Sequence, residues 1–411
     1  MQSVFGSRAV IILSVLVLAF TGTDASAPTQ LSATEVGGGE DHTLVLSADG
    51  RVLACGRNHN WDMEYFGVLG TGDKGRDEEW RVVHVHGPND VGFLDNISDI
   101  SAGWMHSAAL GSDQCVWTWG EGAYGRLGNG VAYREPPPGD PDPIYGDGET
   151  TPVRVVAGDQ DPNDPNSPLR YIIAISAGRS GEFCLAVDAN NVCYGFGRNN
   201  KGQLGNGTTT NSNVPKEVND TSNTGRLENI IAVSAGEEQS MALDANHFVW
   251  TWGDGAYGKL GNGADEDERT PVKVRGVNDV NFLENIVAIS AGWDHCMALE
   301  GYSIEDFNIC GRVFCWGNNG VGHHVDGGGR LGNGQTTGYK TTPVIVLAGQ
   351  QNPDDPNYPY LRNIVAISAG DSHSMALDCA VTYGRGVRII AILLMTRASS
   401  ERVTTTITTH L

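Results

Sequence analysis

The chain has 411 residues, of which 55 are Gly, 9 Trp and 12 Tyr. Glycine at that density, with sparse Lys and Glu, excludes a mainly helical protein and fits many short strands joined by tight turns. The 49 acidic residues outweigh 27 basic ones, giving a formal charge of −22. That balance speaks against nucleic-acid binding and favours solubility and basic protein partners.

In chain order, the first feature is an export signal over residues 1–25. Arg8 supplies a positive start, Ala9 to Phe20 is apolar apart from Ser14, and small residues follow at Ala25, Ser26 and Ala27. An apolar core of about 12 residues is short for a bilayer. An uncleaved signal-anchor is the other reading, and either one places the chain in the secreted or cell-surface class. The expected protein is a monomer with no membrane contact beyond such an anchor.

A phrase close to Ile-x-Ala-Ile-Ser-Ala-Gly then recurs six times, ending at Gly39, Gly103, Gly178, Gly236, Gly292 and Gly370. The spacings are 64, 75, 58, 56 and 78 residues, a period of propeller size carrying insertions. A second mark, mostly aromatic-Gly, ends at Gly56, Gly120, Gly197, Gly253 and Gly317. A third, Leu-Gly, ends at Gly70, Gly128, Gly205, Gly261 and Gly332. Within a copy, runs such as His295 to Glu300 and Phe248 to Trp252 favour strands, and Asp244-Ala-Asn246 is hairpin-turn chemistry. Thr-Pro-Val at 151–153, 270–272 and 342–344 starts an edge-like strand, where Pro is tolerated. About four strands per copy predict an all-β fold, a β-propeller of about six to seven four-stranded blades. The repeats start near residues 36, 100, 175, 233, 289 and 367. Ser-Ala-Gly suits crowded inner strands near the axis, and each Trp of Trp-Gly packs between adjacent sheets.

Ser101-Ala-Gly-Trp-Met-His-Ser-Ala-Ala-Leu110, with Trp119-Gly-Glu-Gly-Ala-Tyr-Gly-Arg-Leu-Gly-Asn-Gly130, resembles the regulator-of-chromosome-condensation repeat family. The likeness runs over residues 36–378 and suggests a secreted bacterial-like member. It implies a propeller, usually of seven blades. This chain has five full copies and a broken sixth. After Asp378 the repeat stops, and Val387 to Leu411 contains no Gly, Pro, Asp or Asn. Residues 379–411 therefore read as an atypical tail, either a frameshift or truncation near 380, or a genuine segment that closes the ring or packs on it.

Repetition separates architecture from function. His42, His106, His295 and His373 share one repeat position, filled elsewhere by Gly181 and Gln239. A role in bonding blade to blade is expected of them. Between the closing Gly and that position lie two freely varying residues. These are Glu40-Asp41, Trp104-Met105, Arg179-Ser180, Glu237-Glu238, Trp293-Asp294 and Asp371-Ser372. They predict a partner-binding rim on one propeller face, with Trp as anchors. Trp61 and Tyr65, on an insertion over residues 58–66, extend it.

No metal ligand and no cofactor is assigned. The adjacent His323 and His324, near Asp326, are poorly placed for one ion, and the loops at 136–147, 159–168 and 352–359 lack EF-hand spacing. Cys184 and Cys193 flank a hairpin and could face each other; Cys310 and Cys315 are near in sequence; free buried thiols are the other reading.

The leading functional expectation is a protein–protein interaction module without catalysis, its partner unidentified. Inhibition of a β-lactamase, known among secreted family members, is one specific form. The resemblance also implies a second reading, guanine-nucleotide exchange on a small GTPase, which the export signal and the charge oppose. A third is a secreted carbohydrate-active enzyme, for which Glu40, Asp41, Glu237, Glu238 and Asp294 are the only converging carboxylates. No nucleophile elbow, phosphate loop or zinc-protease motif is present in the sequence.

Overall fold

The computed structural model describes residues 33–58, 67–73, 78–133, 148–301, 311–320, 328–349, 359–380 and 388–395. Within them the strands fall into six antiparallel meanders. The first blade is β1 (Ala33–Gly38), β2 (His42–Ser47), β3 (Val52–Arg57) and β4 (Glu78–His84). The second is β5 (Ile97–Ala102), β6 (His106–Gly111), β7 (Val116–Glu121) and β8 (Gly148–Arg154). The third is β9 (Ile172–Ala177), β10 (Phe183–Asp188), β11 (Cys193–Gly197) and β12 (Ser212–Glu217). The fourth is β13 (Ile230–Ala235), β14 (Gln239–Asp244), β15 (Val249–Gly253) and β16 (Glu268–Lys273). The fifth is β17 (Ile286–Ala291), β18 (His295–Glu300), β19 (Val313–Asn318) and β20 (Tyr339–Ile345). The sixth has three described strands, β21 (Ile364–Ala369), β22 (Ser374–Ala380) and β23 (Arg388–Met395).

Local chemistry sets these meanders. Asp244 Oδ1 accepts from the N–H groups of Asn246 and Phe248, both at 2.9 Å, and closes the β14–β15 hairpin. Asp188 closes β10–β11 in the same way. Self-bonding Asp side chains favour turns for this reason.

The inner strands pack in series, β1 on β5, β5 on β9, β9 on β13, β13 on β17 and β17 on β21. Ser-Ala-Gly builds each junction. Ser101 Oγ accepts from Ala177 N–H at 2.9 Å, and Ser176, Ser234 and Ser290 do the same for Ala235, Ala291 and Ala369. The glycine is required because the next blade approaches closely: a Cβ on Gly292 would lie 2.5 Å from the Gly370 carbonyl oxygen.

The large aromatic of Trp-Gly reaches the other way, onto the preceding blade. Trp119, Trp252 and Trp316 are fully buried. Their indole N–H groups donate to the carbonyls of Val68, Gln203 and Lys259, at 2.8, 2.8 and 2.9 Å. Gly70, Gly128, Gly205 and Gly261, the Leu-Gly glycines, leave the space that Trp119, Phe196, Trp252 and Trp316 fill.

Among the described residues no comparable packing joins the sixth blade back to the first. The leading face of the first blade is open: Val36 is 54% and Trp80 87% exposed. The described blades thus form an arc of the propeller. Residues 388–395 of the atypical tail lie along β22 as its third strand, Met395 opposite Ser374, where other blades place their Trp-Gly strand.

Two sequence expectations about side chains are decided here. Of the shared histidines, His42, His106 and His295 bond blade to blade, whereas His373 of the sixth blade makes no such bond among the described residues. The Cys184–Cys193 pairing does not form: both thiols are free, because the register sets Cys184 opposite Phe196 and Cys193 opposite Val187. Among the described residues Cys55, Cys115, Cys296 and Cys315 are free as well. Cys310, the signal segment 1–25, the 321–327 insertion with His323, His324 and Asp326, and the loops at 136–147 and 352–358 lie outside the described residues.

Candidate interaction face

The variable pairs occupy the connection between the first and second strand of every blade, and in a meander all six fall on one face. The connection between the third and fourth strand emerges on that face too. The two sets meet side chain to side chain.

Arg126, fully buried, donates to Glu121 and, in the next blade, to Glu182, both at 2.8 Å. Glu182 also pairs with Arg198 at 2.6 Å, and Arg198 stands 3.7 Å from Glu238, which accepts from Asn200 at 3.0 Å. Lys259, buried in the fourth blade, pairs with Asp254 at 2.6 Å and reaches Asp294 of the fifth at 3.2 Å. Lys201 binds the same Asp254 at 3.2 Å. Burial raises the carboxyl of Glu237 to about 8, even with Lys259 Nζ 4.0 Å away. Three carboxylates around it hold the Lys259 ammonium above its usual range, against the opposing effect of burial. Buried cations of this kind persist only when paired.

The remaining rim residues divide by exposure. Glu40 is exposed, and Asp41 is half-buried and paired with Arg57 at 3.2 Å. Trp104 is half-buried against the core of the first and second blades, and Met105 lies inside that core. Trp293 is half-buried, its carbonyl accepting from Gln239 at 3.0 Å. Ser180 donates to Asp371 at 2.7 Å, joining third and sixth blades across the axis, and Arg179 lies beside Gly38 of the first. Trp61 and Tyr65 lie outside the described residues.

Met105 is thus a packing residue that supports Trp104, and most of the acids are neutralised from within. Sequence reasoning missed the cations responsible, Arg126 and Lys259. A signal existed: both stand directly before Leu-Gly, where the other copies carry Val68, Gln203 and Arg330.

The histidines lie beneath this face. Ser107 donates to the Val68 carbonyl at 3.1 Å, so its oxygen accepts from His42 Nε2 at 3.0 Å. Ser374 donates to Arg330 and accepts from His295 Nε2 at 2.9 Å by the same logic. His106 Nε2 meets Cys184 Sγ at 3.1 Å. The other ring nitrogens of His106 and His295 have no partner, which fits a neutral ring. Burial pushes His42 down to about 4, His295 to about 3 and His106 well below its ordinary value. In the fourth blade Gln239 takes over, donating to the Gly292 carbonyl at 2.8 Å. No group of three or more metal-binding side chains occurs among the described residues.

Radially packed four-stranded meanders with loops gathered on one face define a β-propeller domain. The chain belongs to the RCC1-like domain family, whose model matches residues 21–376. It is 28% identical over 341 residues to the human E3 ubiquitin-protein ligase HERC2, covering 82% of this chain and 6% of the ligase. It is 27% identical over 300 residues to the ultraviolet-B receptor UVR8 of Arabidopsis thaliana, covering 70% of this chain and 54% of the receptor. The chain therefore spans only part of these relatives. Among solved structures it resembles human WBSCR16 (TM-score 0.59, 19% identity, covering 83% of this chain and 73% of that one). It also resembles Prp20p of Saccharomyces cerevisiae, described with its binding to Gsp1p and histones (TM-score 0.59, 17% identity, 84% and 68% coverage). These two likenesses concern the fold.

Proposed function

We propose that this domain is a non-catalytic protein-binding module of the secreted or cell-surface class, and that it binds through the face carrying the variable pairs. The observation that supports this most is the pinning of that face. Trp104 and Trp293 are half-buried members of the variable pairs; the buried Lys259 fixes Asp294 beside Trp293, and the buried Arg126 fixes Glu121 and Glu182 on the same face. Aromatic anchors held before the partner arrives lose little entropy on binding, and such residues dominate interface energies. The carboxylates are paired with internal cations rather than converging on an open cleft, which argues for recognition over acid–base chemistry. Placement outside the cytoplasm draws on Arg8 and the apolar run from Ala9 to Phe20; release of a chain lacking the first 25 residues from expressing cells is its check.

The binding test is a pull-down from extracellular proteins with the parent chain and with Trp104→Ala/Trp293→Ala, matched for circular dichroism and melting temperature. A partner retained by the parent and lost by the variant is the expected result. A folded variant that keeps every partner would exclude this face.

A further inference from the structure

In the second to fifth blades the outer strand carries a proline, Pro152, Pro215, Pro271 and Pro343. Each stands three residues before a valine whose N–H bonds to the third strand: Val155 to Val116, Val218 to Cys193, Val274 to Val249 and Val346 to Val313. Backbone N–H groups alternate along a strand, so the proline nitrogen faces outward, and the missing donor blunts the edge. Two residues earlier, the carbonyls of Thr150, Asn213, Arg269 and Thr341 are capped as well. They accept from Gly72, Gly130, Gly207 and Gly263 of the preceding blade, at 2.9 to 3.0 Å.

The first blade has neither protection. Val85 N–H bonds to Val52, so the proline position is Val82, with an outward N–H, and the capped position is Trp80. Among the described residues no N–H caps the Trp80 carbonyl. The side chains of Trp80 and Val82 are 87% and 50% exposed. An edge strand with unpaired backbone groups is a template for pairing with another chain.

We propose that β4 is a dimerisation edge that pairs, antiparallel, with β4 of a second copy. The strand is complementary to itself in one register, Trp80 opposite Trp80 of the partner copy. The outward groups of Trp80 then bond to each other, and those of Val82 bond to Glu78 of the partner copy. The same register sets Glu79 opposite Arg81 twice, by symmetry, giving two opposite-charge pairs beside one aromatic pair. Arg81 is exposed. The neighbouring registers lose this match; centring on Arg81 puts two guanidinium groups face to face. This interface lies on the outer edge, away from the rim proposed to bind partners, so the two ideas fail separately. It differs from the monomer expected from sequence.

The test is sedimentation velocity on the full chain from about 1 to about 100 µM, a range that resolves Kd values in the micromolar class. The parent should approach twice its 43.7 kDa mass as concentration rises. Val82→Pro installs what four sister strands already carry, so it should fold, melt like the parent in dilute solution and stay at the chain mass. Glu79→Arg and Arg81→Glu should each dissociate at least about tenfold more readily than the parent. Mixed one to one they should form a heterodimer, because each then faces an opposite charge. A parent that stays at the chain mass throughout, or a Val82→Pro chain that dimerises like it, would overturn the proposal. A mixture that regains no dimer would overturn the register.

Discussion

The junction between fourth and fifth blades and the leading face of the first blade are made of the same repeat positions with opposite outcomes. At the junction, Ser234 bonds Ala291, Trp316 donates to Lys259, Gly263 caps Thr341, and Lys259 bridges to Asp294. On the leading face of the first blade, Val36 is exposed and Trp80 stands where the fifth blade has its capped threonine. A blade is therefore not self-sufficient. Its stability lies in what it shares with a neighbour, as expected of repeat arrays whose units bury their apolar faces against one another.

The sharpest way to break this comparison is to make one change at two tryptophans. Trp252 is fully buried against the third blade and donates to Gln203. Its truncation to Ala should cost about 3–5 kcal/mol, the range for a buried aromatic that leaves a cavity. Trp80→Ala should stay within about 0.5 kcal/mol, as exposed positions do, when melted dilute enough to be monomeric. Urea unfolding with tryptophan fluorescence measures both. Similar losses at the two sites would mean that the leading face is covered in solution.

The inter-blade histidines sharpen the same contrast through pH. Each is held neutral by burial, with its pKa below the unfolded value near 6.5. The unfolded chain then binds more protons as the pH drops below about 6.5, so the contribution of such a histidine is complete above that pH. It is lost toward the folded value, at about 1.4 kcal/mol per pH unit and per histidine. Gln239 shows that a non-titrating amide can serve the same junction position. His295→Gln should therefore flatten the acid slope between about pH 6.5 and 4 by that amount while changing stability at pH 8 far less. An unchanged slope would show that His295 is not the neutral donor to Ser374. Glu35 works in the other direction. Burial first, then the nearby carboxylate of Asp99, push its carboxyl up, so its contribution fades as the pH rises from about 4.5.

What could be read from the sequence was whatever the repeat copies. The small Ser-Ala-Gly step, the Trp-Gly aromatic between sheets and the structural role of the histidines all recur at fixed spacing, and their reason is local crowding. Pairings that occur once were not legible. Lys259 meets Asp294 in the next blade, and nothing in the intervening sequence marks them as partners. Met105 looked like half of a variable surface pair, yet it turns into the core beside Trp104. Cys184 and Cys193 were near enough in sequence to suggest a bond, but hairpin register set them on different rungs. Val82 was hidden for the opposite reason. It is conspicuous only as a missing proline, and the omission is visible once the strands are aligned by their hydrogen bonds.

The smallest expected effect tests whether the arc really ends at the sixth blade. Ser234 and Ser368 stand at the same repeat position and are both half-buried. Ser234 Oγ accepts from Ala291 N–H at 3.0 Å; Ser368 Oγ has no equivalent bond to a following blade among the described residues. Removing the first hydroxyl strands a buried N–H, so Ser234→Ala should cost about 1 kcal/mol. Removing the second strands nothing, so Ser368→Ala should leave stability unchanged within the precision of denaturant melts. The difference between the two, rather than either value, carries the information, because alanine's strand propensity is common to both. Equal losses would mean that Ser368 has a partner after all, and that another part of the chain continues the array past β21.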